Sequence, residues 1–87
     1  MYIDDEIEYP PNLPKKLSPM FSQLKVYYDK DMWSEYELLW TEVESWVKSY
    51  YLDGIITRKD AVQIFHKHGI MIWGENIGTH LMLANWL

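Results

Sequence analysis

Residues 33–54 read WSEYELLWTEVESWVKSYYLDG, and their pattern determines the expected fold class. At about 100° per residue, nine apolar side chains of this stretch fall within an arc of about 140° on one face of a helix. Acidic and small polar residues occupy the opposite side. The stretch therefore predicts an amphipathic helix over residues 34–52. The centre of its apolar arc, expected in the core, is formed by Tyr36, Val43, Val47 and Tyr50.

Both ends of this helix carry sequence signals. Asp31 or Ser34 is a candidate N-cap, and Ser34 with Glu37 has the spacing of a capping box. Gly54 follows the last apolar residues and is expected to adopt the left-handed conformation that ends a helix. Ile55, the next residue, is then predicted to pack back against the helix.

Shorter helices are predicted on either side. Residues 18–29 begin with Ser18 as N-cap and Pro19 at the first helical position, where its missing N–H carries no penalty. Residues 57–68 run from Thr57 as N-cap to a second glycine stop at Gly69. Residues 70–73 are too short and too evenly apolar to assign, and residues 74–78 form a predicted turn. Residues 80–87 form either a fourth short helix or the return strand of a hairpin.

Residues 1–16 differ from the rest of the chain. Four acids crowd into the first eight positions, and Pro10, Pro11 and Pro14 oppose helix formation in the positions around them. The expected architecture is a mostly α, compact domain of three to four helices over residues 17–87, preceded by an extended acidic and proline-containing arm over residues 1–16.

Composition excludes several classes of protein. Mean hydropathy is −0.30, and no apolar run approaches the roughly 20 residues that span a bilayer. The acidic start is unlike the basic beginning of a signal peptide. With no cysteine, the chain has no disulfide and no thiolate zinc ligand. These features predict a cytoplasmic protein that does not bind membranes.

Charge and aromatic content suggest a function. Of the net charge of −5, residues 1–44 contribute ten acids and four bases, a balance of −6. Five Trp, seven Tyr and two Phe are more than so small a domain can enclose. Trp33, Trp40 and Tyr51 lie at the edge of the apolar arc and are the aromatics expected to be exposed. The predicted function is a small interaction or inhibitor module that binds a basic protein partner or associates with itself. Its predicted interaction residues are Trp33, Glu37, Trp40, Glu44 and Tyr51.

An alternative prediction is a DNA-binding regulator. The helix over residues 34–52, the turn at Gly54 and the helix over residues 57–68 make a helix-turn-helix candidate. The acids of the first half of the chain oppose nucleic-acid binding, so nucleic acid is not the expected partner. The face of the third helix that such a regulator would use carries Arg58, Lys59, Gln63, His66 and Lys67.

The sequence does not match the patterns of common metal sites or catalytic motifs. A calcium loop centred on Gly54 would need ligands where Ser49 and Tyr51 stand, and neither is a carboxylate. His66 and His68 point in nearly opposite directions on a helix, which favours a solvated His66 and a partly buried, hydrogen-bonded His68. No phosphate-binding loop, nucleophile elbow or H-E-x-x-H motif occurs. The sequence therefore predicts no metal, no cofactor and no enzymatic activity.

Overall fold

A computed structural model describes residues 1–70 of the chain, and in this part it contains three helices and no strand. They are α1 (Leu17–Asp29), α2 (Trp33–Leu52) and α3 (Arg58–Lys67). The mostly α fold class is confirmed. Within residues 1–70, no helix is both long and apolar enough to cross a membrane. The predicted turn over residues 74–78 and the helix or hairpin over residues 80–87 lie outside the described residues.

The predicted helix starts are confirmed only for α3. There the Thr57 hydroxyl accepts a hydrogen bond from the Asp60 amide, and the Asp60 carboxylate accepts one from the Thr57 amide, which completes a capping box. α1 instead begins at Leu17 after a turn in which the Leu17 amide donates to the Pro14 carbonyl. Ser18 therefore lies inside the helix, and its prediction as N-cap is wrong.

The start of α2 also differs from the prediction. α2 begins after Met32, whose side chain cannot accept a capping bond, so neither Asp31 nor Ser34 is the N-cap. Asp31 has a left-handed backbone with φ 58°, a conformation that Asp tolerates better than most residues. The Met32 amide then donates to the Tyr27 carbonyl over 2.8 Å. Asp31 thus reverses the chain between α1 and α2 through its backbone.

The predicted glycine stops are confirmed at both sites. Gly54 has φ 75° and Gly69 has φ 78°. After each glycine, the next amide donates to a carbonyl five residues back, from Ile55 to Tyr50 and from Ile70 to Phe65, as in a Schellman motif. The prediction that Ile55 packs back is wrong, since it is 59% exposed and Ile56 is buried instead.

One apolar cluster joins the three helices and the arm. Tyr36, Val43 and Val47 are buried as the centre of the α2 arc predicts, whereas Tyr50 is only half-buried. Each remaining element contributes to the same cluster. The other buried apolar members are Ile3 from the arm, Leu17, Phe21 and Leu24 from α1, Trp40 from α2, Ile56 from the α2–α3 turn, and Ala61, Ile64 and Phe65 from α3.

Residues 1–16 contain no helix, as the prolines predict, and they fold back over the helices. Ile3 is 7% exposed, and the neighbouring Asp4 amide donates to the Lys67 carbonyl at the end of α3 over 2.8 Å. A turn follows, in which the Ile7 amide donates to the Asp4 carbonyl. The arm therefore brings its residues against both α1 and α3, where the candidate sites lie.

Candidate functional site

A buried histidine is the centre of the polar network of this molecule. His68 follows α3 directly and is 6% exposed. Its Nδ1 lies 2.7 Å from the Tyr36 hydroxyl of α2, and its Nε2 lies 2.8 Å from the Tyr9 hydroxyl of the arm. The interpretation of His68 as a buried, hydrogen-bonded histidine is confirmed. His66, predicted to be solvated, is half-buried.

The hydrogen bonds define the tautomer of His68. The Tyr36 hydroxyl donates its one proton to the Tyr2 carbonyl over 2.8 Å, so towards His68 it acts as an acceptor. Nδ1 therefore carries a proton and donates to Tyr36, while the unprotonated Nε2 accepts from Tyr9. The three hydrogen bonds therefore run in one direction. Tyr9 of the arm donates to His68, His68 donates to Tyr36 of α2, and Tyr36 donates to the Tyr2 carbonyl of the arm.

Burial keeps each member of this network neutral. It is the main cause that lowers the pKa of His68 to about 4, and the nearby Lys67 cation lowers this pKa further. Burial likewise raises the pKa of Tyr36 to about 12 and raises that of Tyr9. At neutral pH the network thus acts as a hydrogen-bonded clasp that holds the arm on α2 and α3.

The structure separates the five predicted interaction residues. Trp33 is 63% exposed and Glu37 is also exposed, whereas Tyr51 is half-buried. Trp40 is 6% exposed and Glu44 is 8% exposed, so the prediction that Trp40 is an exposed aromatic with Glu44 beside it on an interaction surface is wrong.

The reason is the packing of α3 against α2. The Trp40 ring stacks on His68 with 4.4 Å between ring centroids, and it meets the Phe65 ring edge-on at 5.8 Å. These contacts cover the side of α2 on which Trp40 lies. Trp33 is two helical turns away and keeps most of its surface.

The exposed Trp33 belongs to a small surface that the arm helps to form. The amino group of Met1 lies 3.4 Å from the Glu37 carboxylate, and the Tyr2 carbonyl accepts the Tyr36 hydroxyl. Met1 and Tyr2 are 38% and 49% exposed. We call Met1, Tyr2, Trp33 and Glu37 the Trp33 surface. The helical pattern of α2 gave no signal for the two arm residues, because they reach α2 only through the tertiary fold.

The arm also occupies much of the predicted nucleic-acid face of α3. Lys67 is 8% exposed, and its ammonium donates to the carbonyls of Asp4 and Ile7. The Gln63 side-chain amide donates to the Glu8 carbonyl. Only Arg58 and Lys59 of the five predicted residues are fully exposed. The expectation that Gln63 and Lys67 present a free polar face is therefore wrong, because both hold the arm.

Residues 1–70 contain no group of three or more His, Asp or Glu side chains that could hold an ion. In the calcium-like stretch, the carboxylate that would be the last ligand belongs to Asp60, and it caps α3 instead.

Comparisons with protein-family models, with curated proteins and with solved structures found no match. Two features of the structure therefore remain as indications of function. One is the Trp33 surface, and the other is the arm clasped across α1, α2 and α3.

Proposed function

We propose that this protein is a small interaction module that binds a protein partner through the Trp33 surface. The exposure of Trp33 carries the proposal. A Trp side chain has a large apolar area, and here 63% of the residue stays in water. One helical turn away, Glu37 pairs with the amino group of the exposed Met1. Trp residues ringed by polar groups are the side chains that most often dominate binding energy at protein interfaces.

The charge around Trp33 favours a basic partner. Glu37 belongs to the Trp33 surface, and the exposed Asp31 and Glu35 lie within two residues of Trp33 in the chain. Opposite charges on a partner would accelerate association and fix its orientation. The partner we infer is a protein surface with an apolar pocket for Trp33 and Lys or Arg side chains at its rim. If the partner is a nucleic-acid-binding protein and this docking blocks its binding surface, this chain would act as an inhibitor.

The alternative of DNA binding has less support. It relies on the polar face of α3, and two of its five residues, Gln63 and Lys67, are hydrogen-bonded to the arm. Arg58 and Lys59 remain exposed, which is a small cationic surface for a duplex.

Site-specific photo-crosslinking in the native host tests the proposal. A photoreactive phenylalanine analogue is placed at Trp33 and, as a matched control, at Leu38. Leu38 is also apolar, lies on the same helix and is 76% exposed. At about 100° per residue, it lies about 140° around the helix axis from Trp33. We expect a discrete crosslinked partner from position 33 and none from position 38.

Affinity measurements with the purified partner complete the test. Trp33→Ala is expected to weaken binding by about 30-fold or more, which corresponds to about 2 kcal/mol. Glu37→Lys should weaken binding and reduce its dependence on salt, while Leu38→Ala should change neither. A crosslink only to a second copy would identify self-association. Equal crosslinking from both positions, or a salt-dependent shift of duplex DNA that Arg58→Glu abolishes, would contradict the proposal.

A further inference from the structure

A groove of about 580 Å³ runs between the arm and α1, on residues separate from the Trp33 surface. This volume lies within the range of small-molecule sites in proteins. The apolar part of its wall is formed by Ile3, Tyr9, Pro10, Leu13 and Phe21.

Contacts along the groove fix its two walls. The rings of Tyr9 and Phe21 stack with 3.9 Å between centroids and join the arm to the middle of α1. At one end, Lys25 of α1 lies 3.4 Å from the Asp5 carboxylate of the arm. From Ser18 to Lys25, the α1 wall is about 10 Å long at 1.5 Å per residue. The α1 wall of the groove is therefore about two helical turns long.

The groove also contains a buried cation. Lys67 lines it and is 8% exposed. Its ammonium donates to two carbonyls, those of Asp4 at 3.0 Å and Ile7 at 2.6 Å, and lies 4.9 Å from the centre of the Tyr9 ring. An ammonium has three N–H groups, and the acceptors among residues 1–70 account for two of them.

No carboxylate within residues 1–70 lies within ion-pair distance of this ammonium. The Asp5 carboxylate lines the groove too, but it pairs with Lys25. A buried charge is strongly destabilising unless an opposite charge or several hydrogen bonds offset it. Within residues 1–70, Lys67 thus has no anionic partner at the wall of the groove.

We propose that this groove binds a medium-chain aliphatic monocarboxylate, with the carboxylate on Lys67 and the hydrocarbon chain along Leu13 and Pro10. A single negative charge matches the Lys67 ammonium, which has no carboxylate partner among residues 1–70. An aliphatic chain matches the apolar part of the wall, because Tyr9 and Phe21 stack on each other and neither offers both ring faces. This site does not depend on the proposed function of the Trp33 surface.

Titration of the full chain with sodium octanoate, followed by amide NMR, tests the proposal. We expect saturable binding of one octanoate, with shifts concentrated at Leu13, Ser18 and Ser22. Octanol has the same chain without the charge and should bind at least 10-fold more weakly. Octylamine should not bind, since Lys67 would repel it. The absence of saturation at millimolar octanoate, or equal affinity for octanol, would overturn the proposal.

Two variants separate the roles of charge and space. Lys67→Met should lower octanoate affinity at least 10-fold and leave octanol affinity unchanged. Because Lys67 also holds the arm, Ser22→Trp provides an independent test that fills the groove from α1. It should abolish binding of both ligands. Gln23→Trp is its matched control, as position 23 is exposed on α1 outside the groove. Octanoate binding that survives Ser22→Trp would place the ligand elsewhere and refute the site.

Discussion

The Tyr9 hydroxyl and Nε2 of His68 lie 2.8 Å apart although 59 positions separate the two residues in the chain. This bond joins the N-terminal arm to the end of α3. The same imidazole contacts Tyr36 of α2 through Nδ1. His68 therefore connects three parts of the fold, and in the neutral ring Nδ1 donates to Tyr36 while Nε2 accepts from Tyr9.

The protein is expected to lose stability as the pH falls from 7 to 5. The folded pKa of His68 is about 4, below the value of 6.5 in the unfolded chain. Above pH 6.5 both states are neutral, and below it the unfolded state binds a proton that the folded state does not. Stability should fall by about 2 kcal/mol at pH 5 and by roughly 3 kcal/mol once the pH reaches 4. Urea unfolding across this range measures the change.

His68→Gln is the control for this pH dependence, because glutamine does not titrate. The variant retains the carboxylates and His66, so its stability should change less over the same pH range. Parallel pH profiles for the wild type and His68→Gln would contradict the prediction.

The two tyrosines of the network should differ in their contribution to stability. Tyr36→Phe leaves both the Nδ1–H group and the Tyr2 carbonyl without their partner, whereas Tyr9→Phe affects only Nε2. Since an unpaired buried polar group costs about 1–3 kcal/mol, Tyr36→Phe should destabilise the fold by about 2–4 kcal/mol and Tyr9→Phe by about half as much. Chemical denaturation at pH 7 gives both values, and the reverse order would refute the assigned tautomer.

Truncation of Trp40 should lower the stability of the fold much more than truncation of Trp33. Trp40→Ala removes a ring packed between His68 and Phe65, and we expect a loss of about 3–5 kcal/mol. Trp33→Ala removes a ring that lies mostly in water, so its effect on unfolding should stay below about 1 kcal/mol. Thermal melts of the two variants test this difference. A large destabilisation by Trp33→Ala would mean that Trp33 is a core residue.

The two glycine stops provide a further matched pair. Alanine at either site must adopt a positive φ, which costs about 1–2 kcal/mol. At Gly54 a Cβ atom meets nothing within 4 Å, whereas at Gly69 it lies 3.0 Å from Cδ1 of Tyr2. Gly69→Ala should therefore be the more destabilising substitution, because Tyr2 must also shift. Equal melting temperatures for the two variants would argue against the packing of Tyr2 on Gly69.

Periodicity predicted three of the four central residues of the α2 face but not the burial at its edges. Tyr36, Val43 and Val47 are buried because they face the core however the neighbouring elements are arranged. Trp40 lies nearer the edge, where burial depends on whether another element covers it. His68 and Phe65 provide that cover, and their positions follow from the tertiary packing of α3.

The arm was the least predictable part of the candidate sites. Its prolines correctly excluded a helix, but composition carries no information about the surface on which an irregular segment lies. The polar residues of α3 also suggested a solvated face. In the folded protein Lys67 and Gln63 donate to arm carbonyls, and backbone carbonyls leave no sequence signal because every residue has one.

The long reach of the arm has a consequence for the order of folding. Its bonds to Gln63, Lys67 and His68 close loops of 55 to 63 residues, whereas α1 and α2 are neighbours in the chain. Closing a long loop carries an entropy cost that local contacts do not, so the α1–α2 hairpin is expected to form first and the arm to dock last. The same asymmetry applies to fluctuations of the native state. The Asp4 amide, bonded to the Lys67 carbonyl, should exchange its hydrogen with solvent through detachment of the arm, long before the amides around Val43 in α2 exchange.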